Sequence, residues 1–141
     1  MIDYNGQLAV VTGGASGRGY AIGEALAKEG AKVILTDIEQ ESLEASTASL
    51  AEQSLDVTCK VADVSNSTSM HELAKWCQSE HGSVHLLFNN AGVAPAELLP
   101  IWDTKPNDWQ WVSHFRDDNV YPESNHCHFT LENDRGNYIR W

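Results

Sequence analysis

Between an apolar run, QLAVVT at 7–12, and a helix-forming stretch, RGYAIGEALAKEG at 18–30, the chain reads TGGASGRG, Thr12 to Gly19. A glycine cluster at a strand-to-helix junction constrains the fold more than any other feature here. The chain must turn tightly at that point, and a Cβ would hold off any group approaching the bare backbone. The helix that follows points its unpaired N–H groups, and the positive end of its dipole, at the same place. Strand, glycine loop and helix in that order are the opening of a diphosphate-binding unit. The alternative is a glycine-rich turn without a ligand.

The rest of the first ninety-odd residues repeats the alternation. QLAVVT is apolar throughout, as a strand buried on both faces of a parallel sheet should be. The first helix places Ala21, Ile22, Ala25 and Leu26 on one face, and Gly30 suits its C′ position. KVILTD at 32–37 is a second buried strand, and 39–53 is a helix with Leu43 and Leu50 two turns apart. A third strand at 56–63 alternates Val57, Cys59 and Val61 against Thr58 and Lys60. In the helix that follows, Ser69 and Glu72 fit a capping box, and Met70, Leu73, Ala74 and Cys77 form an apolar stripe ended by Gly82. VHLLFNNAG at 84–92 supplies a fourth strand. The expected architecture is α/β, a partial Rossmann-type doubly wound parallel sheet of about four strands with flanking helices.

After Gly92 the alternation fades. VAPAELLPIWDTKP reads as a loop, and Pro106 suits the first turn of a helix through Trp109 and Val112. Beyond Val112 the apolar residues follow neither period, no Ala appears after Ala96 and no Lys after Lys105. The organised domain is therefore placed at 1–112, with an irregular tail at 113–141.

Charge and cysteine content exclude several classes. A net charge of −11 with nine Lys and Arg argues against a nucleic-acid surface, which needs clustered cations. It does not exclude a nucleotide held by backbone N–H groups. The start, MIDYNGQLAVVTGG, has no basic n-region or long apolar h-region, and no apolar run approaches the roughly 18 residues of a membrane span. A cytoplasmic protein without a membrane partner is expected. Cys59, Cys77 and Cys127 are odd in number and far apart, so a disulfide framework is not expected, and the first two sit where small buried hydrophobes belong. In the tail, His126, Cys127 and His128, with His114 and Glu132 nearby, are metal-competent by type. Adjacent side chains point apart, however, and an irregular solvated tail is the preferred reading; no metal is expected.

Asp37 ends the second strand, eighteen residues past Gly19. A carboxylate there accepts hydrogen bonds from both ribose hydroxyls of an adenosine and repels a 2′-phosphate, which favours NAD over NADP. The alternative is an Asp that turns the chain into the second helix. Arg18 either reaches a phosphate or is a surface arginine.

TGGASGRG followed by Asp37, Asp63-Val64 after the third strand, and NNAG at 89–92 after the fourth resemble the classical short-chain dehydrogenases/reductases over about residues 5–112. The resemblance implies that Gly13, Gly17 and Gly19 shape the phosphate loop, with Ser16 near the adenosine ribose and Asp37 on its hydroxyls. It further implies that Asp63, through its side chain, and Val64, through its backbone, line the adenine pocket. Asn90, Ala91 and Gly92 would follow the dinucleotide along the sheet edge, partly by stabilising the strand ends. Two positions depart from the family: Arg18 replaces the usual isoleucine, and His85 a common aspartate. His85 is read as an exposed or hydrogen-bonded strand residue.

The family's hydride transfer to or from a carbonyl needs a tyrosine, a lysine four residues later and a serine. Tyr4, Tyr20 and Tyr121 have Leu8, Glu24 and Asn125 four positions on, and Tyr138 has no such position, so no Y-x-x-x-K occurs. The helical asparagine expected one turn past Val112 is replaced by SHFR, and Asn119 lies too late, close to Pro122. No catalytic residue is assigned. The leading reading is the cofactor half of such an enzyme, inactive alone, with a frameshift, aberrant splice or early stop after Val112. A second is a non-catalytic nucleotide-binding or interaction module that associates through an exposed sheet edge. A third is a divergent enzyme with another acid/base, for which no residue stands out.

Overall fold

A computed structural model describes residues 4–93, Asp103, Leu131–Glu132 and Tyr138–Ile139. Four parallel strands, β1 (Leu8–Thr12), β2 (Lys32–Asp37), β3 (Val57–Val61) and β4 (Leu86–Phe88), form a sheet in the order β3-β2-β1-β4. Three helices connect them: α1 (Gly17–Lys28), α2 (Gln40–Glu52) and α3 (Ser67–Glu80). In sheet order β1 and β2 are central and covered on both faces, and Leu8–Val11 and Val33–Leu35 run apolar without a break.

Alternate strand residues supply two separate cores. Ala9, Val11, Val33 and Leu35 pack with Leu26 and Ala27 of α1 and with Leu43 and Leu50 of α2. Leu8, Val10 and Ile34, on the other face, pack with Met70, Leu73 and Cys77 of α3. The crossovers thus use both faces, as the expected doubly wound sheet requires. Leu43 and Leu50 are fully buried, each contributing about 1.5–3 kcal/mol by leaving water.

Several local expectations shift. Of the expected α1 face, Leu26 is buried and Ile22 packs partly buried against the core, but Ala21 and Ala25 are exposed, and the helix also buries Gly19, Gly23 and Ala27. The reason is proximity to the sheet: a Cβ on Gly23 would stand 2.6 Å from Leu35 Cδ2. The cap of α3 is Asn66, whose Oδ1 accepts from the Ser69 N–H at 3.1 Å, so Ser69 is not the N-cap. Val61, the last residue of β3 at the end of the sheet order, is 43% exposed. Only three residues of 84–92 join the ladder. Gly30 and Gly82 follow α1 and α3 with positive φ, as their capping positions require.

Within the stretch read as irregular, Leu131–Glu132 (β5) and Tyr138–Ile139 (β6) pair antiparallel in a separate two-stranded sheet. The expected helix through Trp109 and Val112, the boundary at 112 and Asn119 lie outside the described residues. No helix among the described residues is long and apolar enough to cross a membrane.

Candidate functional site

Because the strands are parallel, every segment leaving a carboxyl end emerges at one edge of the sheet. The glycine loop after β1, Asp37 at the end of β2, Ala62–Val64 after β3 and Asn89–Gly92 after β4 are brought together there, the position where open α/β sheets form their crevice.

The loop is locked to the end of β4. Thr12, almost fully buried, donates its hydroxyl to the Phe88 carbonyl at 3.3 Å and accepts from the N–H groups of Asn90 (3.1 Å) and Ala91 (3.0 Å). The Asn90 side-chain amide donates to the Thr12 carbonyl at 3.0 Å and the Gly13 carbonyl at 3.2 Å. Gly13, at φ 66°, lies so near β4 that a Cβ would stand 2.9 Å from Ala91 Cα. At Gly19 a Cβ would run into the Gly13 carbonyl oxygen and stand 2.7 Å from Asn90 Nδ2. Gly17, at φ 54°, differs: a Cβ there would meet nothing within 4 Å, so the loop is open on that side. Ser16 is the N-cap of α1 but makes no side-chain capping bond, and no acidic residue lies in the first turn. The first N–H groups of α1 are thus left for an outside acceptor.

Asp37 Oδ2 accepts from the Ala15 N–H at 3.1 Å, while Oδ1 accepts from Ile38 N (2.8 Å) and Glu39 N (3.3 Å). It therefore both turns the chain toward α2 and ties the glycine loop to β2. A carboxylate accepts about four hydrogen bonds and three are used, so one site remains for a further donor, and a second where the long Glu39 bond gives way. Across the β2–β3 pair, Asp63 Oδ1 accepts from Ser65 N (2.9 Å) and Ser65 Oγ (2.6 Å), and the Asp63 N–H donates to Ser69 Oγ. Val64 packs partly buried against the α3-side core. Arg18 is exposed and makes no hydrogen bond or ion pair among the described residues. Gly92 is exposed, and a Cβ there would make only an ordinary 3.9 Å contact with the Asn90 carbonyl, so backbone crowding does not demand glycine.

The family profile described as short chain dehydrogenase matches residues 7–116. The chain belongs to the short-chain dehydrogenase family. It is 40% identical over 94 residues to 1-deoxy-11-beta-hydroxypentalenate dehydrogenase of Streptomyces avermitilis, covering 67% of this chain and 35% of that protein. A short-chain dehydrogenase/reductase from Burkholderia phymatum, solved in complex with NAD, superposes with a TM-score of 0.76 at 36% identity, over 85% of this chain and 42% of that one. A metagenomic short-chain oxidoreductase in complex with NADP gives a TM-score of 0.71 at 32% identity, over 81% and 51%. The chain thus spans between about a third and a half of the length of these proteins.

In this short-chain dehydrogenase chain, sequence reasoning missed the residues that hold the site from behind. Thr12, Ser65 and Ser69 act on the loops as described, and Ser42 and Ser46 of α2 both reach the Ala15 carbonyl. Ile38, 59% exposed beside Asp37, and Val61 opposite Asp37 in the β2–β3 register present apolar surface at the same edge. The signal for Ser65 was present: a serine two residues after an aspartate commonly closes a local turn. No periodicity points to Ser46.

The remaining reactive types are structural. His85 Nδ1 accepts from the Leu8 N–H at 3.0 Å, completing the β1 edge below β4. Burial pushes the Cys77 thiol up to about 11, the reverse of what a nucleophile needs. Among the described residues no cluster of His, Cys, Asp or Glu is arranged to hold a metal ion, and the His126, Cys127 and His128 set lies outside them.

Proposed function

We propose that this chain is the dinucleotide-binding portion of a short-chain dehydrogenase and that it prefers NAD. The observation that carries the reading is the glycine loop. Its backs are crowded at Gly13 and Gly19, its front is open at Gly17, and the N-terminus of α1 has no side-chain cap. A pyrophosphate fits that opening as the missing acceptor. Gly13, Gly17 and Gly19 shape the loop, Ser16 lies by the adenosine ribose, and Arg18 supplies a cation for a phosphate. Asp37 takes the ribose hydroxyls and disfavours the added charge of a 2′-phosphate. Asp63 and the Val64 backbone bind adenine, with Ile38 offering an apolar wall, and Asn90, Ala91 and Gly92 line the path toward the nicotinamide. Structural neighbours are bound to NAD in one case and NADP in another, so the preference rests on Asp37.

Hydride transfer is the family chemistry, with the nicotinamide supplying the hydride acceptor or donor. The 141 residues contain no Y-x-x-x-K, so binding without turnover is proposed for this chain by itself, with residues 1–112 as its binding unit. Calorimetric titration tests the reading: NAD should bind at least about tenfold more tightly than NADP, and Asp37→Ala should erase most of that difference. Equal affinity for the two in the unaltered chain would contradict it.

A second reading concerns association. Among the described residues β4 pairs only with β1, which leaves its outer edge available to a second strand. Sedimentation of the full chain over a concentration series tests this; a monomer throughout would exclude edge pairing.

A further inference from the structure

The peptide groups on either side of Ala15, in the middle of the glycine loop, are held by two different elements. The Ala15 N–H donates to Asp37 Oδ2 at 3.1 Å. The Ala15 carbonyl accepts from Ser46 Oγ at 2.6 Å and more weakly from Ser42 Oγ at 3.4 Å. Ser42 and Ser46 are one turn apart on α2 and so share a face. Ala15 is itself buried in the core that α1 and α2 share.

Nothing in the loop explains why α2 should carry hydroxyls there. The Ala15 carbonyl and the Ser16 N–H, however, belong to one planar trans peptide, in which the two bonds point in opposite directions. Fixing the carbonyl toward Ser46 therefore turns the Ser16 N–H away from α2. That N–H has no hydrogen-bond partner among the described residues. Ser16 is the N-cap of α1, at φ −161°, and makes no side-chain bond that would fix the loop from within. Gly17, the next residue, can adopt many conformations. Restraint on this turn thus comes from outside it, with the 2.6 Å Ser46 bond its shortest tie.

We infer that Ser46 is a positioning residue for the pyrophosphate of a bound dinucleotide, aiming the Ser16 N–H through the shared Ala15–Ser16 peptide. The inference rests on the dinucleotide reading above. It assigns Ser46 no contact with the ligand. Ser42, farther away and exposed, is the weaker partner.

The test uses the full chain with ADP-ribose and adenosine as probes, both titrated calorimetrically. Adenosine reaches Asp37, the Ser16 side chain and the adenine side but carries no phosphate for the Ser16 N–H. Ser46→Ala is expected to weaken ADP-ribose by about five- to tenfold, the loss typical of one such hydrogen bond, while adenosine affinity stays within about twofold. Ser46→Thr and Ser46→Val form a second pair of nearly equal shape that differs in the hydroxyl. The threonine variant should bind ADP-ribose much as the original does, and the valine variant should share the alanine variant's loss. Equal ADP-ribose affinity in S46T and S46V would overturn the role of Ser46, as would an equal loss for adenosine and ADP-ribose. If the unaltered chain bound neither probe, the dinucleotide reading itself would fail, and this inference with it.

Discussion

Gly17 and Gly19 stand two residues apart and are needed for different reasons. A side chain at Gly17 enters open space but must hold φ at 54°, whereas one at Gly19 drives into the Gly13 carbonyl and the Asn90 amide. Gly17→Ala should cost about 1–2 kcal/mol from backbone strain. Gly19→Ala should cost up to about 3 kcal/mol and also spread the loop from β4. Urea unfolding of both variants checks the order. Asp37 likewise has two duties. Its removal strands the Ala15 N–H, so Asp37→Ala should weaken NAD by about tenfold or more without a compensating gain for NADP; titration of both dinucleotides reads this. The glycines and Asp37 were legible because each follows from a local junction. The bonds from Asp37 and Ser46 to Ala15 were not, since they join residues 22 and 31 positions apart.

The elements were legible from periodicity, while their orientation depended on packing partners. The stripe of α3 holds, with Met70, Leu73 and Cys77 all buried, because large apolar residues face the sheet wherever there is room. In α1 there is little room, so Gly19 and Gly23 mark the sheet side beside Leu26 and half-buried Ile22, while Ala21 and Ala25 of the expected face turn outward. The start of α3 is crowded with capping residues, and the outcome turns on Ser69, whose hydroxyl accepts from the Asp63 N–H and leaves Asn66 as the cap. Asn66→Ala should therefore lower stability by about 1 kcal/mol in urea unfolding. Leu43→Ala, in a helix face with no exposure, should cost about 2–5 kcal/mol by the same measurement.

Across the whole molecule, the parallel strands gather four loops at one edge, and the two cores on opposite sheet faces hold those strands in place. Cys77 reports on the integrity of the α3-side core. Burial raises its thiol from 9.0 to about 11, so the stability this group contributes is present below pH 9 and is lost as pH rises toward 11. At neutral pH a thiol reagent should label Cys77 only when the chain unfolds, while half-buried Cys59 reacts sooner; peptide mapping after timed labelling distinguishes them. The parallel order was legible from strand–helix alternation. The shortness of β4 was not, because Val84 also fits a strand pattern although only Leu86–Phe88 pair with β1.

That the four loops act together as a dinucleotide site is tested most directly by amide hydrogen exchange of the full chain with and without NAD. Added NAD should slow exchange at 14–19, 37–39, 63–65 and 90–92 and leave the buried strands unchanged. Absence of protection at these four segments under saturating NAD, in a chain whose β1 and β2 amides remain protected, would contradict it.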